Sequence, residues 1–223
     1  MNEYLVALTA LAGICSSASA WNDNGHMTVA RIARNELKPE ERTKAIDILK
    51  SHPHYTEYLK GQKPANMSED EWVFLRAATW ADWVRSGPAD RRRYNVPNRH
   101  FINLPIVVEG SGITPPKPND ENVVSGIKKQ KDEAMTGGDR VNRAVAVTWL
   151  FHLVGDIHQP LHCTNLYSKD FPKGDRGGNL AKVRISGGGI VQLHSFWDGL
   201  LGTSTSPSSI LGMVKEIDDL AAK

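Results

Sequence analysis

Residues 149–162, W-L-F-H-L-V-G-D-I-H-Q-P-L-H, combine a long apolar run with regularly spaced polar side chains. His152 and Asp156 are four residues apart, about one helical turn, so a helix presents both on one face. Pro160 cannot continue a helix, which predicts that the helix ends near it and that His162 belongs to the bend beyond. A buried carboxylate beside imidazoles is costly unless it is neutralised, and a divalent cation would neutralise it. A metal-free His–Asp hydrogen bond in a core helix explains this segment equally well.

The length and the N-terminus indicate an exported protein of one domain. A chain of 223 residues is long enough for a sizeable core. Residues 1–20 resemble a secretory signal, with an apolar middle and an A-x-A cleavage site at 18–20. Cleavage after Ala20 would make Trp21 the first residue of the mature chain. The signal holds one acidic residue and no basic one, so the mature charge is slightly above the formal +2 of the whole chain. That charge is too small to argue for nucleic-acid binding by itself.

Cysteine usage excludes a framework of disulfide bridges. Cys15 leaves with the signal, so Cys163 is the only cysteine of the mature chain. Its single thiol, in the bend after the helix, is interpreted as a packing group and not as a ligand. A secreted protein of this size without disulfides depends on its core or on metals for stability. No stretch of the mature chain is long and apolar enough to span a membrane.

The remaining pattern predicts a mainly helical chain with one hairpin. Helices are predicted over residues 27–37, 39–49, 67–85, 121–135 and 207–223, with a short one from 194; strands over 182–185 and 190–193; an extended piece over 99–108; and polar loops over 90–99, 109–119 and 163–179. His52 and His54 are interpreted as solvated surface histidines, and His158 as a core histidine bonded to the backbone. Asp82, between two tryptophans, is either a buried carboxylate or an exposed helical one.

Five histidines and three aspartates stand at spacings that suit metal binding. They are His26, Asp82, His100, His152, Asp156, His162, His194 and Asp198. No thiolate is among them, so the set suits zinc in a nitrogen and oxygen shell. Eight side chains exceed one tetrahedral ion, whereas two or three ions bridged by an aspartate would use them. Zinc ions close together clamp a phosphoryl group and lower the pKa of a shared water, which is the chemistry of phosphoester hydrolysis.

In combination and order, the motifs resemble the S1/P1 nuclease family of secreted trinuclear zinc nucleases. They are Trp21-x4-His26, W-A-D-x-x-R at 80–85, R-H-F-I-N at 99–103, H-x3-D-I-H-Q-P-L-H at 152–162, G-G-N at 177–179 and H-x-F-W-D at 194–198. The resemblance implies a mainly α-helical, single-domain fold like that of phospholipase C and P1 nuclease, with a small β-hairpin. The catalytic domain would span residues 21–223.

The resemblance also implies three zinc sites. One ion would be held by Asp82, His100, His152 and Asp156; a close neighbour by the α-amine and carbonyl of Trp21, by His26 and by Asp156 as the bridge; and a third by His162, His194 and Asp198. Asp82 would also orient the attacking water.

The same resemblance assigns roles toward the substrate. Arg85 corresponds to the basic residue that contacts the scissile phosphate, and Phe101 to the aromatic ring on which a base stacks. Asn179 corresponds to the asparagine of the G-G-N motif near the site. Asn103 stands where the family often has aspartate, so base preference is left open, because an amide both donates and accepts hydrogen bonds.

Two further features depart from the family. Only 25 residues follow Asp198, where family members usually continue with more helices, which predicts a complete catalytic core without the C-terminal wall of the cleft. The disulfides of fungal members cannot form with one mature cysteine.

The function implied is cleavage of single-stranded DNA or RNA to 5′-phosphorylated products, with 3′-nucleotidase activity. The protein is expected to be a secreted or periplasmic monomer without a membrane segment or a stable protein partner. A phospholipase C is one alternative, disfavoured by the short Trp21-x4-His26 spacing and by Asp198, where the phospholipases have glutamate. A zinc-stabilised binding protein without activity is the other.

Overall fold

Helices predominate in the computed structural model, which describes residues 21–222. The α-helices are α1 (Asp23–Glu36), α2 (Pro39–Leu49), α3 (Glu69–Ala77), α4 (Trp80–Trp83), α5 (Ala89–Arg92), α6 (Val123–Thr136), α7 (Arg140–Ile157), α8 (Pro160–Cys163), α9 (Leu193–Asp198) and α10 (Pro207–Ala221). A π-helical turn covers Tyr55–Leu59 and a 3₁₀ turn covers Pro97–His100. The strands are β1 (Leu104–Val107), β2 (Thr164–Tyr167), β3 (Lys182–Arg184) and β4 (Ile190–Gln192). The predicted mainly α-helical class with a small hairpin is confirmed.

Helix α7 is the element around which the others pack. Its N-cap Asp139 accepts a hydrogen bond from the backbone N–H of Asn142 at 2.7 Å, and the helix ends at Ile157 with His158 as its C-cap, as Pro160 predicts. α7 contacts α1, α2, α3, α4 and α6. A helix covered on so many sides is apolar around most of its circumference, which explains the long apolar run in its sequence.

The aromatic core lies between α7 and the short helices before it. Trp80 and Trp149 are buried and meet edge to face, with ring centroids 6.2 Å apart. Phe74 of α3 packs against Phe151 at 4.6 Å. Aromatic pairs of this geometry contribute more to stability than the burial of their surface alone would give. This packing fixes α4, and with it Asp82, against the middle of α7.

The predicted single helix over residues 67–85 is wrong, because the structure divides it into α3 and α4. Ser68 caps α3, and its hydroxyl accepts a hydrogen bond from the backbone N–H of Glu71 at 3.2 Å. The interruption falls at Ala78 and Thr79. The carbonyl of Ala78 accepts a hydrogen bond from the ring of His152 at 2.7 Å, a tertiary contact that local periodicity does not reveal.

The strands form two small sheets, one predicted and one not. β3 and β4 pair antiparallel as the expected hairpin. β1 pairs in parallel with β2, in the register Leu104 to Thr164, so the interpretation of residues 163–179 wholly as loop is wrong. All four residues of β1 are exposed. They therefore lack the alternation that marks a half-buried strand.

The C-terminal helix α10 packs on α1, near the start of the described chain. The amide of Asn22 donates to the carbonyl of Gly202 at 2.7 Å, and Asn24 donates to the carbonyl of Ser204. Asn22 N–H also donates to the carbonyl of Asp198 at 3.2 Å. These bonds tie the first turn of α1 to α9 and to the segment that follows it.

The signal-peptide prediction lies outside the described residues. Within residues 21–222 no helix combines the length and apolar character needed to cross a bilayer. Cys163 is a free thiol that donates to the carbonyl of Ile157 at 3.4 Å.

Three histidines differ from their sequence interpretation. His52 is only 4% exposed, and its Nδ1 accepts from the backbone N–H of His54 at 3.0 Å. His54 in turn accepts from the indole N–H of Trp80 at 3.0 Å. Both histidines are therefore part of the packing around Trp80 and are not solvated surface groups. His158 bonds the carbonyl of Val154 as expected, but it is exposed and is not in the core.

Candidate metal centre

The eight predicted metal-ligating side chains come from six elements that meet on one side of α7. They are His26 on α1, Asp82 on α4, His100 on the 3₁₀ turn, His152 and Asp156 on α7, His162 on α8, and His194 and Asp198 on α9. All are largely buried, and the side chains of Asp82 and Asp198 are 13% exposed. The structure gathers them into three groups in which the potential ligand atoms lie within 4.8 Å of one another.

The first group has distances suited to tetrahedral zinc. Nδ1 of His100, Nε2 of His152 and Oδ2 of Asp156 are 3.0–3.2 Å apart. Oδ1 of Asp82 lies 3.9 Å from the same His100 nitrogen and 3.8 Å from the same His152 nitrogen. With Zn–N near 2.0–2.1 Å, the edge of a tetrahedron of ligands is about 3.4 Å. The four side chains therefore surround a space of the right size for one zinc ion.

The hydrogen bond to Ala78 sets the tautomer of His152. A carbonyl oxygen only accepts, so in the neutral ring Nδ1 of His152 carries the proton and Nε2 presents its lone pair to the first group. Burial by itself would lower the pKa of His152, but the carboxylates of Asp156 and Asp82 outweigh it and raise the pKa to about 9. Binding of a cation here therefore displaces a proton.

His26 forms the second group and lies directly beside the first. Its ring stacks on that of His152, with centroids 4.0 Å apart and an interplanar angle of 18°. Its Nε2 is 3.6 Å from Oδ1 of Asp156, and Asp82 and His152 complete a triad of potential ligands with it. Burial lowers the pKa of His26 to about 3, which keeps the imidazole neutral and able to bind metal.

Trp21 is buried at the entrance to α1, 8% exposed, two residues before the first helical residue. The assignment of its α-amine and carbonyl to the second zinc stays a prediction.

The third group consists of His162, His194 and Asp198. The two Nε2 atoms are 3.2 Å apart, and that of His194 is 3.7 Å from Oδ2 of Asp198. The Nδ1–H of His162 donates to the carbonyl of His100 at 2.5 Å, and that of His194 to the carbonyl of Gly177 at 2.6 Å. Backbone carbonyls thus orient both rings with their lone pairs toward the same point.

Asp156 links the first and second groups. Its Oδ2 faces His100 and His152, whereas its Oδ1 faces His26 at 3.6 Å and lies 3.9 Å from Nδ1 of His162. Burial by itself would raise the pKa of Asp156, but His152 and His100 outweigh it and hold the pKa well below the usual range. A permanently charged carboxylate with one oxygen toward each neighbouring group has the geometry of a bridging ligand.

Unpaired buried atoms show that the groups fit a bound cation. Both ring nitrogens of His26, Nε2 of His100 and Oδ1 of Asp156 are buried without a hydrogen-bond partner in the described chain. Leaving such atoms unpaired is costly, and zinc would satisfy those that face the groups. The donors are nitrogen and oxygen atoms only, as expected from the sequence.

A cleft of about 320 Å³ opens over these groups. It is lined by the predicted substrate-contacting residues Arg85, Phe101, Asn103 and Asn179 together with His100, His162 and His194. Arg85 donates to Asp82 at 3.0 Å. Phe101 is fixed by its backbone, because its carbonyl accepts from Val123 N–H at 3.1 Å and its neighbour Ile102 donates to the carbonyl of His162 at 2.7 Å.

Three residues of the site were not predicted from the sequence. Gln159 is fully buried and donates to Oδ1 of Asp198 at 2.8 Å. Its place between the ligand motifs in H-Q-P-L-H was a signal that could have found it. Asn165 and Arg176 line the cleft. Arg176 stands directly before the G-G-N motif, whereas no sequence signal marks Asn165.

Comparison with known proteins supplies an independent finding. The family described as S1/P1 Nuclease matches residues 21–222. The chain is 26% identical over 207 residues to Endonuclease 3 of Arabidopsis thaliana, covering 90% of this chain and 61% of that protein. It is 26% identical over 226 residues to Nuclease S1 of Aspergillus oryzae, covering 99% of this chain and 68% of that protein. Endonuclease 4 of Arabidopsis thaliana is 24% identical over 212 residues, with 90% and 62% covered. The chain therefore spans less than two thirds of the length of both plant relatives.

Proposed function

Because the chain belongs to the S1/P1 nuclease family, we propose that it is a secreted zinc nuclease that cleaves single-stranded DNA and RNA. The observation that carries the proposal is the clustering of three His/Asp groups, two of which face Asp156, beneath a cleft that holds two arginines, an aromatic ring and several amides. The products are 5′-phosphorylated, and 3′-nucleotides are also hydrolysed.

Three zinc ions held by these groups would supply Lewis acidity and a water of lowered pKa at neutral pH. Asp82 belongs to the first group and also bonds Arg85, so its carboxylate can orient a water or substrate hydroxyl at the mouth of the cleft. The Arg85 guanidinium neutralises charge that develops on the phosphoryl oxygens. Asp156 fixes the positions of the neighbouring groups relative to each other, and its negative charge would offset the positive charge of the bound ions.

The preference for single strands follows from Phe101. Its ring lines the cleft and can stack only on a base whose face is free, whereas duplex bases are already stacked. Asn103 and Asn179 present amides that can bond a base edge, because each amide both donates and accepts. Export rests on the signal in residues 1–20, and removal of that signal would free the α-amine of Trp21 as a ligand.

The test is a zinc count together with digestion by the purified mature chain that begins at Trp21. We expect about three zinc ions per chain, faster cleavage of single-stranded than of duplex DNA, and phosphate release from a 3′-mononucleotide. Asp156→Asn keeps the shape but removes the shared charge, so it should lose zinc and most turnover. Asp132→Asn, on the exposed face of α6, is the matched control and should change neither.

Other outcomes would redirect the assignment. Equal rates on duplex and single-stranded DNA would show that a base does not need a free face for Phe101 to stack on. Faster hydrolysis of phosphatidylcholine would indicate a phospholipase, and zinc binding without hydrolysis of any of these substrates would indicate a binding protein.

A further inference from the structure

Arg176 has a backbone conformation that arginine seldom adopts. Its φ is +56°, and Gly174, Gly177 and Gly178 in the same loop also have positive φ. Left-handed φ is uncommon for residues other than glycine, since the Cβ atom crowds the backbone. Among the described residues the other example is Gln62, which follows the end of a helical turn, where this conformation is common. Arg176 has no such helical context.

The backbone of Arg176 makes two hydrogen bonds that hold the loop, and neither requires its side chain. Its N–H donates to Oδ1 of Asn165 at 2.9 Å, and its carbonyl accepts from the amide of Asn179 at 2.8 Å. Glycine would make both bonds without the strain. The fold of the loop therefore does not explain an arginine at this position.

The side chain of Arg176 is an exposed cation that lines the cleft. Within residues 21–222 its guanidinium has no hydrogen bond, ion pair or ring contact, in contrast to Arg85, which bonds Asp82. A guanidinium without an intramolecular partner in a substrate cleft is available for an anion, and its planar donors suit phosphate oxygens.

The two arginines of the cleft are linked to different residues of the ligand array. Arg85 bonds Asp82 of the first group. Arg176 precedes Gly177, whose carbonyl orients His194 of the third group. If the scissile phosphate lies over the metal groups beside Arg85, a strand that continues along the cleft brings another phosphate toward the third group.

We infer that Arg176 binds a non-scissile phosphate of the polynucleotide and so favours oligonucleotides over 3′-mononucleotides. This inference rests on the proposed nuclease function. A 3′-mononucleotide carries only the phosphate that is hydrolysed, so it has no group for Arg176 to bind. Arg176 therefore affects the preference for longer substrates and not the rate of the chemical step.

The test uses Arg176→Gly, which removes the guanidinium and also relieves the strained φ, so the loop should remain folded. We expect KM for a single-stranded octanucleotide to rise at least roughly tenfold, as for the loss of one charge-assisted hydrogen bond. The loss of kcat/KM should be at least about fivefold larger for the octanucleotide than for a 3′-mononucleotide. Arg176→Lys should keep part of the preference, because it keeps the charge.

A binding measurement makes the test independent of turnover. For a fluorescent octanucleotide, the slope of log affinity against log salt should fall by about 0.7, the value for one phosphate contact on a single strand. Lys173→Ala removes an exposed cation of the same loop that does not line the cleft, and it should leave the slope unchanged.

Equal losses on both substrates, or an unchanged salt slope in Arg176→Gly, would overturn the inference while leaving the nuclease function standing. A wild-type chain that hydrolyses neither substrate would instead refute the proposed function, and the salt slope would still decide whether Arg176 binds phosphate.

Discussion

At the scale of single residues, Asp198 shows a conflict between metal binding and stability. Its side chain is 13% exposed and accepts one hydrogen bond, from Gln159 at 2.8 Å. Burial raises its pKa to about 8, and the nearby carboxylates of Asp82 and Asp156 add to the rise. In the metal-free protein the folded state therefore holds a proton on Asp198 that the unfolded chain has lost at neutral pH. The stability that this group contributes is present below about pH 4 and is lost as the pH rises toward 8.

Asp198→Asn should accordingly stabilise the metal-free protein, and by more at pH 8 than at pH 5. Asparagine keeps the acceptor for Gln159 but never ionises. The measurement is Tm in excess chelator at both pH values, for the variant and the wild type. With zinc present the order should reverse, since the variant lacks one ligand of the third group.

Asp219→Asn is the control for this comparison. Asp219 is an exposed carboxylate on α10 that pairs with Lys215, so its loss should not produce the same dependence on pH. A metal-free Asp198→Asn protein no more stable than the wild type at pH 8 would contradict the burial argument.

At the scale of elements, the contact between α1 and α7 is set by the absence of a side chain at Gly155. A Cβ atom built there would lie 2.5 Å from Nδ1 of His26, far inside van der Waals contact. Gly155 lies between His152 and Asp156 in the chain, so the glycine admits His26 directly beside both of these side chains. Glycine costs about 1 kcal/mol relative to alanine in a helix interior. Helix α7 therefore gives up intrinsic stability at the place where the metal groups meet.

Gly155→Ala should displace His26 and reduce hydrolysis on the order of 100-fold, as small misplacements of catalytic groups do. Zinc content should fall by about one ion per chain, while circular dichroism should show unchanged helix content. Gly212→Ala in α10 provides the matched control, because nothing lies within 4 Å of its added Cβ; it should raise Tm slightly and keep full zinc. Full zinc and full turnover in Gly155→Ala would show that His26 is not a ligand.

At the scale of the whole molecule, the metal groups connect segments that lie far apart in sequence. Their ligands extend from His26 on α1 to Asp198 on α9. Within residues 21–222 no disulfide restrains the chain, because Cys163 is a free thiol. Bound zinc would therefore stabilise the arrangement of most elements at once.

Removing zinc should lower Tm as well as abolish hydrolysis. A site saturated at 100 times its Kd contributes about 2.7 kcal/mol, and in a protein of this size each kcal/mol shifts Tm by about 2–4 °C. Each site should thus account for a shift of about 5–10 °C, measured by thermal unfolding with and without a chelator. Readdition of zinc should restore Tm, whereas magnesium should not. Lost activity with an unchanged Tm would mean that the ions do not hold the core together.

Much of this arrangement could be read from local pattern. Pro160 and the apolar run predicted where α7 ends, and the two short apolar segments at 182–185 and 190–193 predicted the hairpin. These signals are local because capping, proline geometry and turn formation involve residues that are near in sequence. The motifs likewise identified the eight side chains that the structure brings together, because each motif places its residues on one helical face or at one helix end.

Tertiary structure alone decided the contacts between these pieces. The division of α3 from α4 accompanies the bond from His152 to the Ala78 carbonyl, and β1 finds its partner in β2 about 60 residues later. The burial of His52 likewise depends on a neighbour distant in sequence, because its ring packs against Trp80. The sequence by itself determined which residues could bind metal and which segments are helical, since both depend on residue type and short spacing. Which oxygen of Asp156 faces which histidine follows only from packing helices against one another, because that choice depends on distances that no local pattern encodes.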